Sequence, residues 1–211
     1  MKPERLVLVS ATATEAGKTW VAARLLERLR RTGLSVAARK PVQSFEPGGG
    51  PTDADVLAAA ADCTPSRVCP PHRWYPIPMA PPIAAEHLGR DPLTLAELVA
   101  ELGLPGHGIT VVEGAGGWRS PLAADGDTRA LARLIQPDMV VLVAGAELGA
   151  IHAVRSCMDA MDGRPATVFL NRYDAAQRVA ASNLNWLRDR DGFDVVTEIE
   201  MLAERVVGDA A

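Results

Sequence analysis

Cysteine is scarce in this chain: Cys63, Cys69 and Cys157 are the only three among 211 residues. An odd, widely spaced set argues against a disulfide scaffold and fits a reducing cytoplasm. Cys63 and Cys69 also lack histidine or cysteine partners at the spacing of a zinc site. Basic charge is not in excess either. Twenty-two Lys and Arg face 26 Asp and Glu, for a formal net charge of −4. A general nucleic-acid binder would show a basic excess or stripe, so that class is not expected. No apolar run approaches the roughly 20 residues needed to cross a bilayer. The start, Met1-Lys2-Pro3-Glu4-Arg5, has no apolar signal segment. The end, Val206 to Ala211, has no basic amphipathic tail for a membrane surface. Internal repeats and low-complexity segments are missing too.

What is present is an apolar share of 48% beside 23% charged residues. That combination supports one sizeable core, and residues 1–211 are expected to form a single α/β domain. Arg5 to Ala11 is a short apolar strand. Lys18 to Arg31 has helical spacing, with Val21, Leu25, Leu26 and Leu29 on one side. A strand is expected over Ser35 to Lys40, a glycine-rich loop over Phe45 to Pro51 and a helix over Asp53 to Ala61. Residues 63–93, rich in proline, read as an irregular excursion with at most one short edge strand. Further helices are expected over Thr94 to Leu102, Thr128 to Ile135, Ala150 to Met161 and Ala175 to Arg188. Strands are expected over Gly108 to Glu113, Met139 to Ala144, Ala166 to Asn171 and Asp194 to Ile199. Unbroken apolar strands alternating with amphipathic helices predict a doubly wound, mainly parallel sheet with helices on both faces.

Between the first strand and helix lies Ala11-Thr12-Ala13-Thr14-Glu15-Ala16-Gly17-Lys18-Thr19. In such a P-loop, successive backbone N–H groups and a helix N-terminus converge on one anion. Lys18 would reach the β- and γ-phosphates, and the Thr19 hydroxyl would ligate Mg²⁺. The strict pattern wants glycine at position 12, where this chain has threonine; the strand–loop–helix setting carries the reading instead.

Open α/β sheets bind ligands beyond the carboxyl ends of their strands. Lys40, Glu113 and Asn171 end three of the expected strands. A buried Glu113 would need a partner, and Mg²⁺ near the loop supplies one. Thr19, Asp55 and Glu113 form a hard-oxygen set suited to that ion. First-turn capping is the plainer alternative for Asp55, with Asp53 beside it. Lys40 would add positive charge near the γ-phosphate, where charge develops during transfer to an anionic acceptor. Its plainer alternative is a snorkelling surface lysine.

Taken together the motifs resemble dethiobiotin synthetase, a family of the P-loop NTPase superfamily. The match is carried by Thr12 to Thr19, Lys40-Pro41-Val42-Gln43-Ser44, Asp55, Tyr75-Pro76, Met79-Ala80-Pro81, Glu86-His87, Val112 to Trp118, Pro121-Leu122 and Leu148-Gly149-Ala150-Ile151. It runs from about residue 5 to 200. The resemblance implies an ATP-dependent cyclo-ligase of biotin biosynthesis: 7,8-diaminononanoate and CO₂ would become dethiobiotin through a carbamate and a carbamic–phosphoric anhydride. Lys18 and Lys40 would be catalytic. ATP would lie on Thr14, Glu15, Ala16, Gly17, Lys18, Thr19 and Trp20, with Asp55, Glu113, Gly114, Ala115, Gly116 and, for the base edge, Asn171. The acceptor would meet Lys40 and Ser44, and its carboxylate the helix start at Gly149, Ala150, Ile151 and His152, in the family supplied by the other subunit of a cytoplasmic homodimer. The chain departs from the family at Ala11 and Ala13, at Phe45 beside the substrate, at His152-Ala153, and at Glu200, where a proline is usual. Two rivals follow: a paralogue acting on another carboxylate or carbamate, and a ParA- or MinD-like ATPase switch. The switch would usually carry a lysine early in the loop, where this chain has Ala11-Thr12-Ala13.

Overall fold

The computed structural model describes residues 4–208; positions 1–3 and 209–211, part of both terminal expectations, lie outside it. The chain runs through β1 (Arg5–Ala11), α1 (Lys18–Arg31), β2 (Val36–Arg39), β3 (Gln43–Ser44), α2 (Asp53–Ala61), α3 (Pro65–Val68), a 3₁₀ turn (Pro71–Arg73) and β4 (Trp74–Tyr75). It continues with α4 (Pro81–His87), α5 (Leu95–Glu101), β5 (Ile109–Glu113), β6 (Pro121–Ala123), β7 (Gly126–Asp127), α6 (Thr128–Ile135) and β8 (Met139–Gly145). The last elements are α7 (Ala150–Asp159), β9 (Ala166–Asn171), α8 (Arg178–Asn185), a π turn (Trp186–Arg190), β10 (Val195–Val196) and α9 (Ile199–Val207).

Six strands form a parallel sheet in the order β10-β9-β8-β1-β5-β2. β1 lies inside it, and its side chains alternate between two cores. Leu6 and Leu8 join a core with residues of α5, α6, α7 and α8, whereas Val7, Val9 and Ala11 join one with α1, α2 and α9. Both faces are therefore covered, which is why these strands are apolar without interruption. In α1, Val21, Leu25, Leu26 and Leu29 are buried, and Arg28, Arg30 and Arg31 crowd its last turn, where the helix dipole favours cations.

Differences from the sequence expectation cluster where proline or brevity misleads. Residues 81–87 are a helix, because Pro81 and Pro82 occupy its first turn, where a missing N–H costs nothing. Pro65 opens α3 in the same way. The last strand is only Val195–Val196, and Ile199 starts a helix whose Leu202, Ala203 and Val206 are buried. The hairpin of β6 and β7 was also absent from the expectation.

Candidate active site

The phosphate loop is braced from three sides. Thr12 N–H donates to Val143 C=O at 3.0 Å, extending the pairing of β1 with β8. Left-handed backbone falls at Glu15 (φ 64°) and Gly17 (φ 97°), while residue 12 has none. Glycine is thus dispensable at position 12 and required at 17, where a Cβ would come within 2.1 Å of the Asn171 amide nitrogen. Asn171 donates through that nitrogen to Ala16 C=O at 2.9 Å. On the other side Trp118 N–H donates to Ala11 C=O at 2.9 Å, and its buried indole donates to Ala160 C=O at 3.1 Å. This ties the Gly114-Ala115-Gly116-Gly117 loop to the end of β1. Ala11 is the buried last residue of β1, so its methyl sits in the core.

Beside the loop, four side chains from four elements meet. The Lys40 ammonium, just past β2, lies 2.6 Å from Glu113 Oε1 and 2.8 Å from Asp53 Oδ2. The Thr19 hydroxyl, in the first turn of α1, lies 2.9 Å from Asp53 Oδ1 and 3.0 Å from Glu113 Oε1. Lys40 and Glu113 are buried, so the snorkelling alternative for Lys40 is excluded. Burial disfavours the Lys40 ammonium, but Glu113 and Asp53 outweigh it and its pKa is raised. Burial likewise pushes the Glu113 carboxyl up, against the pull of Lys40. For Asp53 burial is overcome: Lys40, Thr19 and Lys18 together hold its carboxyl below the usual range. Lys18 is held below its ordinary value, first by burial and then by repulsion from Lys40.

The carboxylate at this place is Asp53, and the expectation for Asp55 is corrected. Thr52 caps α2, and Asp55 folds back to accept from Thr52 N–H at 2.8 Å, closing a capping box. The side chain of Asp53, at the first helical position, is left to face Lys40. Gln43 fixes the approach, its Oε1 accepting from Ala54 N–H at 2.9 Å. The signal was in the sequence: Thr52-x-x-Asp55 is a capping pattern, which frees the acid inside it.

Thr14, Glu15, Gly17, Lys18, Thr19, Lys40, Ser44, Asp53, Glu113, Ala115 and Gly116 line one cavity of about 600 Å³. Pro78, Met79, Ala80, Pro81 and Pro121 give it an apolar wall, and Arg172, which the sequence reading overlooked, also lines it. Phe45 turns away, its ring 6.5 Å from that of Trp74 in an edge-on contact. Trp20 is not on this cavity; with Thr197, Glu198, Ile199 and Glu200 it borders a second one of about 210 Å³. The α7 start does not reach the main cavity of its own chain: Gly149 caps the helix with φ 97°, and His152 is exposed.

The residues fit a magnesium ion. Glu113 Oε2 is buried and has no hydrogen-bond partner among the described residues, so one hard oxygen is unused beside Asp53 and Thr19. No group of three or more His, Cys, Asp or Glu side chains suited to a metal occurs among the described residues. A metal here would therefore take few protein ligands and complete its shell with phosphate and water, as magnesium does.

A parallel α/β sheet with a phosphate loop after its first strand, a hydroxyl and two carboxylates beside it, and two buried lysines defines a nucleotide-dependent phosphoryl-transfer protein of the P-loop class. A family model described as an AAA domain matches residues 5–205. The chain is 42% identical over 168 residues to the ATP-dependent dethiobiotin synthetase BioD of Chromohalobacter salexigens, covering 74% of this chain and 69% of that one. It is 34% identical over 201 residues to the protein of the same name from Rhodococcus jostii, covering 92% and 85%. Among solved structures, the chloroplast FtsY of Physcomitrella patens aligns with a TM-score of 0.55 at 12% identity, over 99% of this chain and 66% of that one. The signal recognition particle receptor FtsY of Elizabethkingia anophelis gives 0.53 at 14%, over 93% and 58%. The chain thus spans about three-fifths to two-thirds of these structures, and the likeness shows the fold alone. The chain belongs to the ATP-dependent dethiobiotin synthetase family.

Proposed function

We propose that this protein, acting as one P-loop domain over residues 1–211, is an ATP-dependent cyclo-ligase that makes dethiobiotin from 7,8-diaminononanoate and CO₂. The observation that carries the reading, beside the family, is the Lys40–Glu113–Asp53–Thr19 quartet beneath the phosphate loop, open to a cavity with an apolar wall. A carbamate formed on one amine attacks the γ-phosphorus of ATP, and ADP departs. The neighbouring amine then attacks the carbonyl carbon of the mixed anhydride, phosphate leaves, and the urea ring closes. Magnesium, when bound, offsets charge on the phosphate oxygens; Thr19, Asp53 and Glu113 would hold it. Lys18 faces the bridging and terminal phosphate oxygens. Lys40, kept cationic by its carboxylates, faces the carbamate and the transferred group. Ser44 would orient the carbamate, and the Pro78–Pro81 wall excludes water from the anhydride. Trp20 and residues 197–200 would border the base, and Asn171, hydrogen-bonded to the loop at Ala16, would read its edge.

In this reading the chain acts as a homodimer, and the apolar Leu148, 87% exposed just before the Gly149 cap of α7, supports it. Gly149, Ala150, Ile151 and His152 would receive the substrate carboxylate in the partner's site. No helix among the described residues is long and apolar enough to cross a membrane, and the cytoplasm is the proposed location.

The test measures phosphate release from ATP with and without diaminononanoate and bicarbonate, with dethiobiotin identified as product. Release that requires both supports the assignment. Release driven instead by other diamines or carboxylates would overturn it in favour of a paralogue.

A further inference from the structure

We propose that Arg172 is a nucleotide-positioning residue, its guanidinium closing over the phosphate loop to contact the phosphate chain of the bound nucleotide. Three observations converge on it. Arg172 follows Asn171 at the carboxyl end of β9 and has left-handed backbone, φ 57°. Such a conformation is strained for an arginine, and strain of this kind persists where surrounding structure imposes it, commonly at ligand clamps. The residue before it is fixed in place, the Asn171 amide donating to Ala16 C=O at 2.9 Å.

The side chain reaches back to the loop. One guanidinium nitrogen donates to Glu15 C=O at 3.3 Å. Glu15 is itself left-handed, so the contact joins two strained non-glycine residues that both line the cavity. The contact is long and engages one of five N–H donors. Arg172 is exposed, lines the 600 Å³ cavity, and has no carboxylate partner among the described residues. Most other arginines near this end of the molecule are spoken for; Arg155 is paired with Asp191, and Arg129 with Asp162. An unpaired guanidinium held loosely at the rim of an anion site has its remaining donors free for phosphate oxygens, to which arginine donates in pairs.

The charge balance of the cavity supports the assignment. Lys40 is already matched by Glu113 and Asp53. That leaves Lys18 and Arg172 as the cations free to meet a polyphosphate. Lys18 reaches the cavity from the first turn of α1 and Arg172 from just past β9. The inference rests on the nucleotide-binding reading of the phosphate loop, and its test separates the two.

Binding of Mg–ADP is measured by titration calorimetry for the wild type, Arg172→Ala, Arg172→Lys, Arg172→Gln and Lys18→Ala at low and high salt. Arg172→Ala is expected to weaken binding about 10- to 50-fold, as for loss of a charged hydrogen bond. Arg172→Lys should recover part of the loss, and Arg172→Gln none, with a shallower salt dependence in both uncharged variants. Wild-type affinity in Arg172→Gln would overturn the proposal, since glutamine still brackets Glu15 without charge. So would wild-type affinity in Arg172→Ala. If Lys18→Ala binds as well as the wild type, the phosphate-loop reading itself fails, whatever Arg172 does.

Discussion

The two halves of the site are built in opposite ways. On the phosphate side the charges at the floor are tied down: Lys40 and Glu113 are buried against each other, Asp53 and Thr19 lock them to two helices, and Asn171 and Trp118 brace the loop, which leaves Lys18 and Arg172 for the nucleotide. On the acceptor side the groups are exposed or loosely held. Leu148 stands 87% exposed, His152 reaches no part of its own cavity, and Met79 is 36% exposed on the wall. The phosphate side repeats one task for any acceptor and is preorganised, so no reorganisation is needed as charge develops. In the proposed function the acceptor side is finished by what binds there, a substrate and a second copy of the chain.

This contrast can be broken or sharpened experimentally. The largest effect is expected from Lys40→Ala, which should lower kcat by about 10²- to 10³-fold, as for loss of one preorganised transition-state contact. Removing one partner of a buried pair also costs about 3–5 kcal/mol of stability, so the melting temperature should fall with it. Normal turnover in a folded variant would show that the phosphate side does not depend on this lysine. Next comes the pair of neighbouring acids. Asp53→Asn should cut activity about 100-fold and raise the magnesium concentration needed, whereas Asp55→Ala should cost only about 1 kcal/mol of stability, as for loss of a cap. The reverse ranking would return the metal to Asp55.

On the acceptor side, Leu148→Asp should shift the chain from two copies to one in light scattering. The KM for the diamine should rise about tenfold, the scale of a central interface residue, while Mg–ADP affinity stays put. A dimer unaffected by the change would move the interface elsewhere. The smallest effect concerns Cys69, buried next to Val68, whose carbonyl accepts from Lys40 N–H. Burial pushes its thiol up to about 12, from 9.0 when unfolded. A thiol favoured in the folded state contributes stability below the unfolded value and loses it as pH rises from 9 towards 12. Urea midpoints should therefore fall more steeply over that range in the wild type than in Cys69→Ala; parallel curves would show a solvated thiol.

Much of the phosphate side was legible in the sequence because its signals are local. Gly17-Lys18-Thr19 after an apolar strand fixes a loop, and a strand ending in a carboxylate or lysine fixes which end carries the ligand. Asp53 was missed for the same reason turned round: two acids two residues apart differ in what Thr52 captures. Helix α4 was hidden by reading Pro81 and Pro82 as breakers when they are starters. Arg172 carries no motif at all, and its place depends on a left-handed backbone that the sequence does not announce.

By itself the sequence determined the alternation of strands and helices, the parallel sheet with both faces covered and the position of the phosphate loop, because periodicity and loop chemistry act over a few residues. Only the tertiary structure decided that Lys40 is buried against Glu113, that Thr12 needs no glycine, and that Arg172 reaches the phosphate loop. Each of these is settled by contacts between residues far apart in the chain, such as Lys40 with Glu113 and Asn171 with Ala16. Burial then makes such contacts strong enough to override local preference.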